Sequence, residues 1–253
     1  MRLVLVFSIL FFCFELLYSP LSTQAQDLPT KPPKSRYLNE IGFILGIGTS
    51  DLDLRDLNKH LEVLQIGKVD NVLVSRTISL YMSGKNNFKA TMDVNVGTAI
   101  DNLIIKPEAD ITFNTFSLGL SLYKSLFRTN RVEILLLGGF RFTNINFEYN
   151  ANTISAANFD SLLSDPTVNA STIHLASVNN SDANIGGRFQ FRLGKKENQK
   201  PREYRIGFDS GYIYGFRNSP WRHVGGRLAV PAMPKIKSDN VYFHLTFSGY
   251  FRI

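Results

Sequence analysis

The chain ends on a segment, VYFHLTFSGYFRI (residues 241–253), in which apolar and polar side chains alternate, with Gly249 as the one gap in the apolar row. A period of two predicts a β-strand with one apolar and one polar face, and such a strand lies between two different environments. Seven further segments show the same alternation. They cover residues 41–48, 72–82, 88–96, 116–123, 134–149, 184–193 and 205–216. The pattern therefore predicts eight strands, an even number.

The connections between the predicted strands alternate in length. The short ones centre on SGKNN, FRTNR and KKENQKPRE, whereas the long ones span residues 49–71, 99–110, 150–181 and 217–240. Outer-membrane barrels have short periplasmic turns and longer outer loops, whereas a soluble sandwich has no physical reason to sort its connections in this way. We therefore expect residues 37–253 to form an all-β domain, an eight-stranded antiparallel up-and-down transmembrane β-barrel. Its last strand would pair with the strand at 41–48, because a closed sheet leaves no edge open to lipid.

The charged residues of the strands fall on the face opposite to the apolar rows. With the odd-numbered residues of the last strand outward, the inner face carries Lys89 together with Asp93, Glu133, Arg141, Arg188, Arg192, Arg205, Asp209 and His244. The interior of an eight-stranded barrel is only wide enough for side chains, and charges buried there require partners. The last eight of these residues are therefore predicted to form a lumenal charge network in which Glu133 pairs with Arg141, Arg188 or Arg205.

Two alternatives stay open at the level of sequence. A secreted, lipocalin-like barrel would show the same alternation with its apolar face inside and its charges outside. In a membrane barrel, the inward charges are also compatible with a gated, narrow channel. The apolar rows are about ten residues long, which is enough to cross a bilayer at a tilt and favours the membrane. The small bore of eight strands favours a salt-bridged, occluded lumen over a channel.

Residues 1–25 have the build of a secretory signal peptide, with a basic start, an apolar run and small residues before a cleavage site after Ala25. A retained anchor is the alternative, but Glu15 leaves the apolar run short for a spanning helix. The single cysteine, Cys13, lies in this segment, so the mature chain has no disulfide, thiol nucleophile or thiolate metal site. Residues 26–36 are proline-rich and polar, which predicts a flexible lead-in.

The formal net charge is +7, but the basic residues are scattered and the chain is predicted to be exported, so nucleic acid is not an expected partner. We expect the protein to lie in the outer membrane of a Gram-negative bacterium, surrounded by lipid. The alternating aromatic residues of the last strand are similar to the signal that the outer-membrane insertion machinery recognises during assembly. Ile253 stands where that signal usually has an aromatic residue.

The predicted loop 217–240 contains candidate rim chemistry. Ser219 and His223 are the parts from which a lipid hydrolase at the barrel rim could be built. The simpler hypothesis is that Trp221 and Arg222 anchor the barrel at the membrane interface and touch lipid phosphate. No spacing in the chain identifies a catalytic or metal site, so we predict that the protein is not an enzyme and has no cofactor. His244 is interpreted as a lumenal hydrogen-bonding group.

The longest predicted loop, residues 150–181, is rich in asparagine and serine. Long polar loops outside a barrel are where binding sites occur, so this loop is the candidate site for a surface ligand. A solvated loop without a binding role is equally compatible with its composition.

Several segments resemble a family of small uncharacterised outer-membrane β-barrel proteins of the Bacteroidetes. They are SLGLSLYKSLFRTNRVEILLLGGFRF, DLRDLNKHLEVLQIG with its predicted short helix, and GFDSGYIYGF followed by Trp221 and VYFHLTFSGYF. The resemblance covers most of residues 37–253 and consists of spacing patterns, so it implies the fold and no catalytic residue. The expected role is structural or surface interaction, and the alternatives are a narrow channel and a lipid hydrolase at the rim.

Overall fold

The computed structural model describes residues 38–63, 67–84, 89–100, 111–150, 172–193, 202–224, 229–230 and 233–252. The predicted signal peptide and lead-in, residues 1–36, lie outside this part of the chain. The elements are β1 (Leu38–Leu52), α1 (Arg55–Val63), β2 (Val72–Gly84), β3 (Lys89–Ala99), β4 (Ile111–Arg128), β5 (Val132–Asn150), β6 (Thr172–Leu193), β7 (Arg202–Arg217), β8 (Arg222–His223) and β9 (Asn240–Arg252). Within the described residues, no helix is long and apolar enough to cross a bilayer.

Eight long strands close into a ring. Each of β1 to β6 pairs antiparallel with the next strand, β7 pairs with β9, and β9 pairs with β1. β8 is a two-residue strand in the β7–β9 connection and pairs with β6. The prediction of an all-β, eight-stranded, up-and-down antiparallel barrel is therefore confirmed, as is the pairing of the last strand with the first.

The strands are staggered around the ring. A row of directly paired residues can be followed from β5 around the barrel and back to β5. The row is Ile134, Phe189, Phe208, Leu245, Ile47, Arg76, Val96, Phe116 and Asn144. It returns ten residues further along β5 (144 minus 134). A stagger of this size tilts the strands by roughly 40° and gives an interior that side chains can fill.

The barrel has its apolar side chains outside and its polar ones inside. Leu245 is 53 % exposed, whereas its neighbour Thr246 is 3 % exposed. The same contrast occurs on β2 and β4, where Ile78 and Leu120 are exposed and Ser79 and Ser121 are buried. A lipocalin-like barrel would have the reverse arrangement, so that alternative is wrong. We call the exposed apolar surface around the ring the apolar belt; it runs from Ile134 to Phe142 on β5, with corresponding residues on the other strands.

Polarity reverses towards the long-loop end of the barrel. Beyond Phe142 on β5, Ile145, Phe147 and Tyr149 are buried while Asn146 is exposed. These residues belong to a cluster that covers the end of the interior, which we call the apolar cap. Its members are Leu52, Leu54, Leu57, Leu61, Val69, Leu73, Ala99, Ile111, Phe113, Ile145, Phe147, Tyr149, Ile173, Leu175, Trp221, Val230 and Ile236. The strands therefore continue past the belt into a region packed like a water-soluble protein.

Helix α1 contributes to the apolar cap from the first long connection. Leu54, Leu57 and Leu61 have the spacing of one helical face, and all three are buried. Ahead of the helix, the carboxylate of Asp53 accepts hydrogen bonds from Arg55 Nε at 2.8 Å and Nη2 at 2.7 Å, and the guanidinium lowers the pKa of Asp53 to about 2. The side-chain amide of Asn58 exchanges two 2.8 Å hydrogen bonds with the backbone of Val69, which ties the helix to the chain that returns to β2.

The boundaries of the predicted loop 150–181 are wrong at its end, because residues 172–181 are part of β6. Opposite the step from Thr143 to Ile145 on β5, β6 advances three residues, from Asn180 back to Ser177. This bulge places Asn179 at φ 61°, and the backbone N–H of Asn179 donates to Asn144 Oδ1 at 2.9 Å. An inserted residue exchanges the two faces of a strand, so the odd-numbered residues, which face outward at Ile185, face inward at Ile173 and Leu175. Ile173 and Leu175 then face the apolar cap.

Replacing Leu245 by arginine is expected to lower the free energy of unfolding from lipid vesicles by about 2–4 kcal/mol, because the charge is placed on the apolar belt midway along β9. The matched control is Val63→Arg, at an exposed apolar residue of α1 outside the belt, which should change stability by no more than about 0.5 kcal/mol. Urea titration in vesicles measures both. Equal losses at the two positions would contradict a lipid-facing belt.

Candidate functional site

The interior below the apolar cap contains the predicted charge network, which the structure divides into layers. Nearest the short turns lies a cluster formed by Lys89, Glu133, Arg192, Glu203 and Arg205, which we call the lower charge cluster. Glu133 Oε1 accepts a short hydrogen bond from Lys89 Nζ, and Glu133 Oε2 accepts one from Arg205 Nη1 at 2.5 Å. Arg205 Nε donates to Glu203 Oε1 at 2.5 Å, and Arg192 Nε lies 2.7 Å from the same oxygen.

The contacts of Glu133 reach past neighbouring strands. Glu133 lies on β5, Lys89 on β3 and Arg205 on β7, so each ion pair skips the strand between. The skipped strands contribute Tyr123 and Gln190, and Gln190 Oε1 accepts a further hydrogen bond from Arg205 at 3.1 Å. Glu133 is 4 % exposed and Arg205 is 3 % exposed, so water cannot replace these contacts. The cluster therefore ties β3, β5 and β7 together across the lumen.

The middle layer is a two-pronged ion pair. Arg188 on β6 and Asp209 on β7 are opposite each other in register, and the guanidinium donates to both carboxylate oxygens at 2.6 and 2.5 Å. The guanidinium carbon also lies 4.5 Å from the centre of the Tyr123 ring. Both partners are buried, so the fork geometry and the ring stabilise a charge pair that water does not reach. Asp93 lies near this pair, and one of its oxygens accepts a hydrogen bond from Ser121 at 2.8 Å.

The upper layer surrounds a small cavity of about 20 Å³ beneath the apolar cap. Arg141, Asp182 and His244 line it, and Arg141 is half-buried. Asp182 is fully buried and accepts hydrogen bonds from Thr143 Oγ1 at 2.5 Å and from Ser238 Oγ. A ring nitrogen of His244 lies 2.6 Å from Ser75 Oγ. A cavity of this size holds about one water molecule.

The structure places all eight residues of the predicted network inside the barrel, but in three separate groups. Glu133, Arg192 and Arg205 belong to the lower charge cluster, and Arg188 pairs with Asp209. Asp93, Arg141 and His244 form no ion pair within the described part of the chain. Among the arginines proposed for Glu133, Arg205 is the one in contact.

Two interior acids were missed by the sequence analysis. Glu203 lies two residues before Arg205 on the same face of β7, but it is the last residue of KKENQKPRE, which the sequence pattern predicts as a short connection. Asp182 directly follows the predicted loop 150–181 and precedes the alternating run from 184. Both residues continue the alternation of a predicted strand: each lies two residues before the start of the run, at 184 and at 205, and on its inward face.

The prediction that Trp221 is an interface anchor is wrong. Its side chain is fully buried, Nε1 donates to the carbonyl of Pro234 at 2.8 Å, and the ring meets Phe147 edge to face. The β7–β9 connection turns inward over the end of the barrel, so the indole packs in the apolar cap instead of reaching lipid. Arg222 is exposed, but it lies on β8, which pairs with β6 at Leu175 and Ala176 beyond the apolar belt.

The candidate rim hydrolase residues do not form a catalytic group. The backbone N–H of Ser219 donates to Asn180 Oδ1 at 2.7 Å, and its carbonyl accepts from Ser177 Oγ at 2.8 Å. No hydrogen bond joins Ser219 to His223 in the described residues. Likewise, no group of three or more His, Cys, Asp or Glu side chains in those residues is arranged to hold a metal ion.

No protein-family model matches this chain, and no curated protein sequence matches it. Several solved structures are similar. They include a major outer-membrane protein of Thermus thermophilus (TM-score 0.48, 11 % identity, covering 85 % of this chain and 98 % of that one) and Neisserial surface protein A (0.44, 10 %, 85 % and 96 %). The attachment invasion locus protein Ail of Yersinia pestis is a third (0.40, 11 %, 86 % and 99 %). All three are small outer-membrane proteins, and at these identities the likeness concerns the fold and carries no functional argument.

Replacing Glu133 by alanine is expected to lower the free energy of unfolding by about 3–5 kcal/mol, because Lys89 and Arg205 would be left as uncompensated buried cations. Asp53→Ala is the control, since it removes a carboxylate from the exposed Asp53–Arg55 pair and should cost no more than about 1 kcal/mol. Unfolding midpoints in lipid vesicles report both values. A loss at Glu133 as small as that at Asp53 would show that the lower charge cluster is solvated.

The buried position of Trp221, the chain's single tryptophan, can be tested without a substitution. Its fluorescence should be blue-shifted and resist quenching both by iodide in water and by lipids brominated on their acyl chains, because the indole lies in the apolar cap. Urea-unfolded protein, in which iodide should quench fully, serves as the control. Strong quenching by the brominated lipids would restore the interface-anchor hypothesis.

Proposed function

We propose that this protein is an integral outer-membrane barrel of a Gram-negative bacterium, with an interior closed to solutes and a structural or surface-interaction role. The observation that carries the proposal is the apolar belt around a ring whose ion pairs are buried inside. A continuous exposed apolar surface of this extent is not tolerated in water, whereas a closed barrel with an apolar outer band suits hydrocarbon. We therefore propose that lipid surrounds the barrel and that the last strand is the signal recognised by the insertion machinery.

The occluded interior is supported by what fills it. The lower charge cluster joins strands that are two apart in the ring, the Arg188–Asp209 pair joins adjacent strands, and the apolar cap lies over the other end of the interior. The cavity between them, about 20 Å³, has no room for a hydrated ion. A narrow channel remains the competing function and would require these side chains to move apart. A lipid hydrolase at the rim is not favoured, because no hydrogen bond joins Ser219 to His223 in the described residues.

A surface-interaction role would be served by the chain between β5 and β6. Residues 172–181 must be kept in any deletion, because they form β6, whereas residues 151–171 lie outside the described part of the chain. Replacing 151–171 by a short glycine–serine turn separates the two roles. A purely structural protein keeps all its cell-surface contacts after this change, and a surface-interaction protein loses its ligand while the barrel still folds.

In planar bilayers, the wild-type protein is expected to give no resolvable current steps, because its interior is filled by paired side chains. Glu133→Ala should raise the leak of small ions by opening the lower charge cluster, and Asp53→Ala should leave the baseline unchanged. Insertion is checked separately by protection from protease in vesicles. Regular conductance steps from an inserted wild-type protein would favour the channel and overturn the occluded interior.

A further inference from the structure

Arg76 is a cation on the apolar belt. It lies on the outward face of β2, between Val74 and Ile78 on that face, and is paired in register with Ile47 on β1 and Val96 on β3. Ile47, Ile78 and Val96 are all exposed on the belt. Arg76 is itself exposed and makes no hydrogen bond or ion pair within the described part of the chain. Its nearest outward neighbours in the sheet are thus apolar on all four sides.

A guanidinium in this position requires an anionic or aqueous partner. A charged side chain in hydrocarbon is costly, and arginine avoids the cost by laying its aliphatic stem along apolar surface while its head reaches the interface. A permanent charge that is surrounded by apolar residues of the belt is therefore expected either near an edge of the belt or against a negatively charged group.

The register places Arg76 close to the edge on the long-loop side. Val74, the next outward residue in that direction, is flanked by Thr49 on β1 and Thr98 on β3. In the opposite direction the outward residues Ile78, Leu80 and Met82 are all apolar. Two residues along a strand tilted by roughly 40° correspond to about 5 Å of depth. An extended arginine side chain covers such a distance, so its head reaches the level of the two threonine hydroxyls.

We propose that Arg76, together with the hydroxyls of Thr49 and Thr98, binds the phosphate of a lipid in the leaflet at the long-loop end. The planar guanidinium matches a phosphate with two parallel charge-assisted hydrogen bonds, and the hydroxyls supply further donors. Ile47, Ile78 and Val96 then contact the acyl chains of the same lipid. The ligand is a lipid phosphate and not free phosphate, because the apolar surface around the guanidinium favours a molecule that also carries acyl chains. This inference rests on the proposed membrane location.

Native mass spectrometry in a maltoside detergent tests the site with two probes, a phosphatidic acid and a diacylglycerol with the same acyl chains. The wild-type protein should retain the phosphatidic acid and not the diacylglycerol. Arg76→Leu should lower the affinity for phosphatidic acid about tenfold, the size expected when one charge-assisted pair of hydrogen bonds is lost. Arg76→Lys should lose less affinity, because lysine keeps the positive charge but cannot donate two parallel hydrogen bonds.

Arg222→Leu is the matched control, since Arg222 is an exposed arginine on β8 beyond the belt, and it should bind as the wild type does. Three outcomes would each overturn the site. The Arg76→Leu variant retains phosphatidic acid as well as the wild type does, Arg222→Leu loses as much affinity as Arg76→Leu, or millimolar inorganic phosphate displaces the lipid. Leucine matches the neighbours of Arg76, so the variant is expected to fold. Protease protection in vesicles separates the two proposals: a wild-type protein that does not insert overturns both, whereas one that inserts but binds lipid independently of Arg76 overturns this inference alone.

Discussion

The pairing of β1 with β9 is the contact on which the rest of the structure depends. It converts a meander of eight long strands into a ring, so each of these strands is paired on both sides and the ring has no open edge. In hydrocarbon this condition is strict, because an unpaired backbone N–H or C=O has no water to bind. Closure also sets the stagger of ten residues, and the stagger in turn decides how narrow the interior is and which side chains meet across it.

A narrow interior turns charges into structural links. Glu133 reaches Lys89 and Arg205 by passing over one strand on each side, which side chains can do because the wall of a narrow barrel is strongly curved. Within such a space a carboxylate without a cation, or a cation without a carboxylate, is strongly unfavourable. The interior charges therefore act together to hold the ring at one register.

The barrel has two regions of opposite polarity, and single strands show the boundary between them. On β5 the outward face is apolar as far as Phe142 and polar from Asn144, while the inward face changes in the opposite sense at Ile145. Below that level the apolar side chains face outward and the polar ones are enclosed; above it the apolar side chains are enclosed by the extended strands, α1 and the β7–β9 connection. Arg76 lies just below the boundary, where a long cationic side chain can reach from one environment towards the other.

The sequence by itself determined the eight strands of the ring, the inward and outward faces of their predicted segments, the order of short and long connections and the inward position of residues such as Glu133, Arg188 and His244. These follow from a period of two, which depends only on neighbouring residues. Tertiary structure alone decided that Glu133 contacts Lys89 and Arg205, that Trp221 packs in the apolar cap, and that residues 172–181 are strand beyond a bulge at Asn179. The reason is physical. Contacts between side chains across a lumen depend on the stagger of the closed ring. An inserted residue exchanges the inward and outward faces of a strand, although the apolar residues stay at odd-numbered positions on both sides of it.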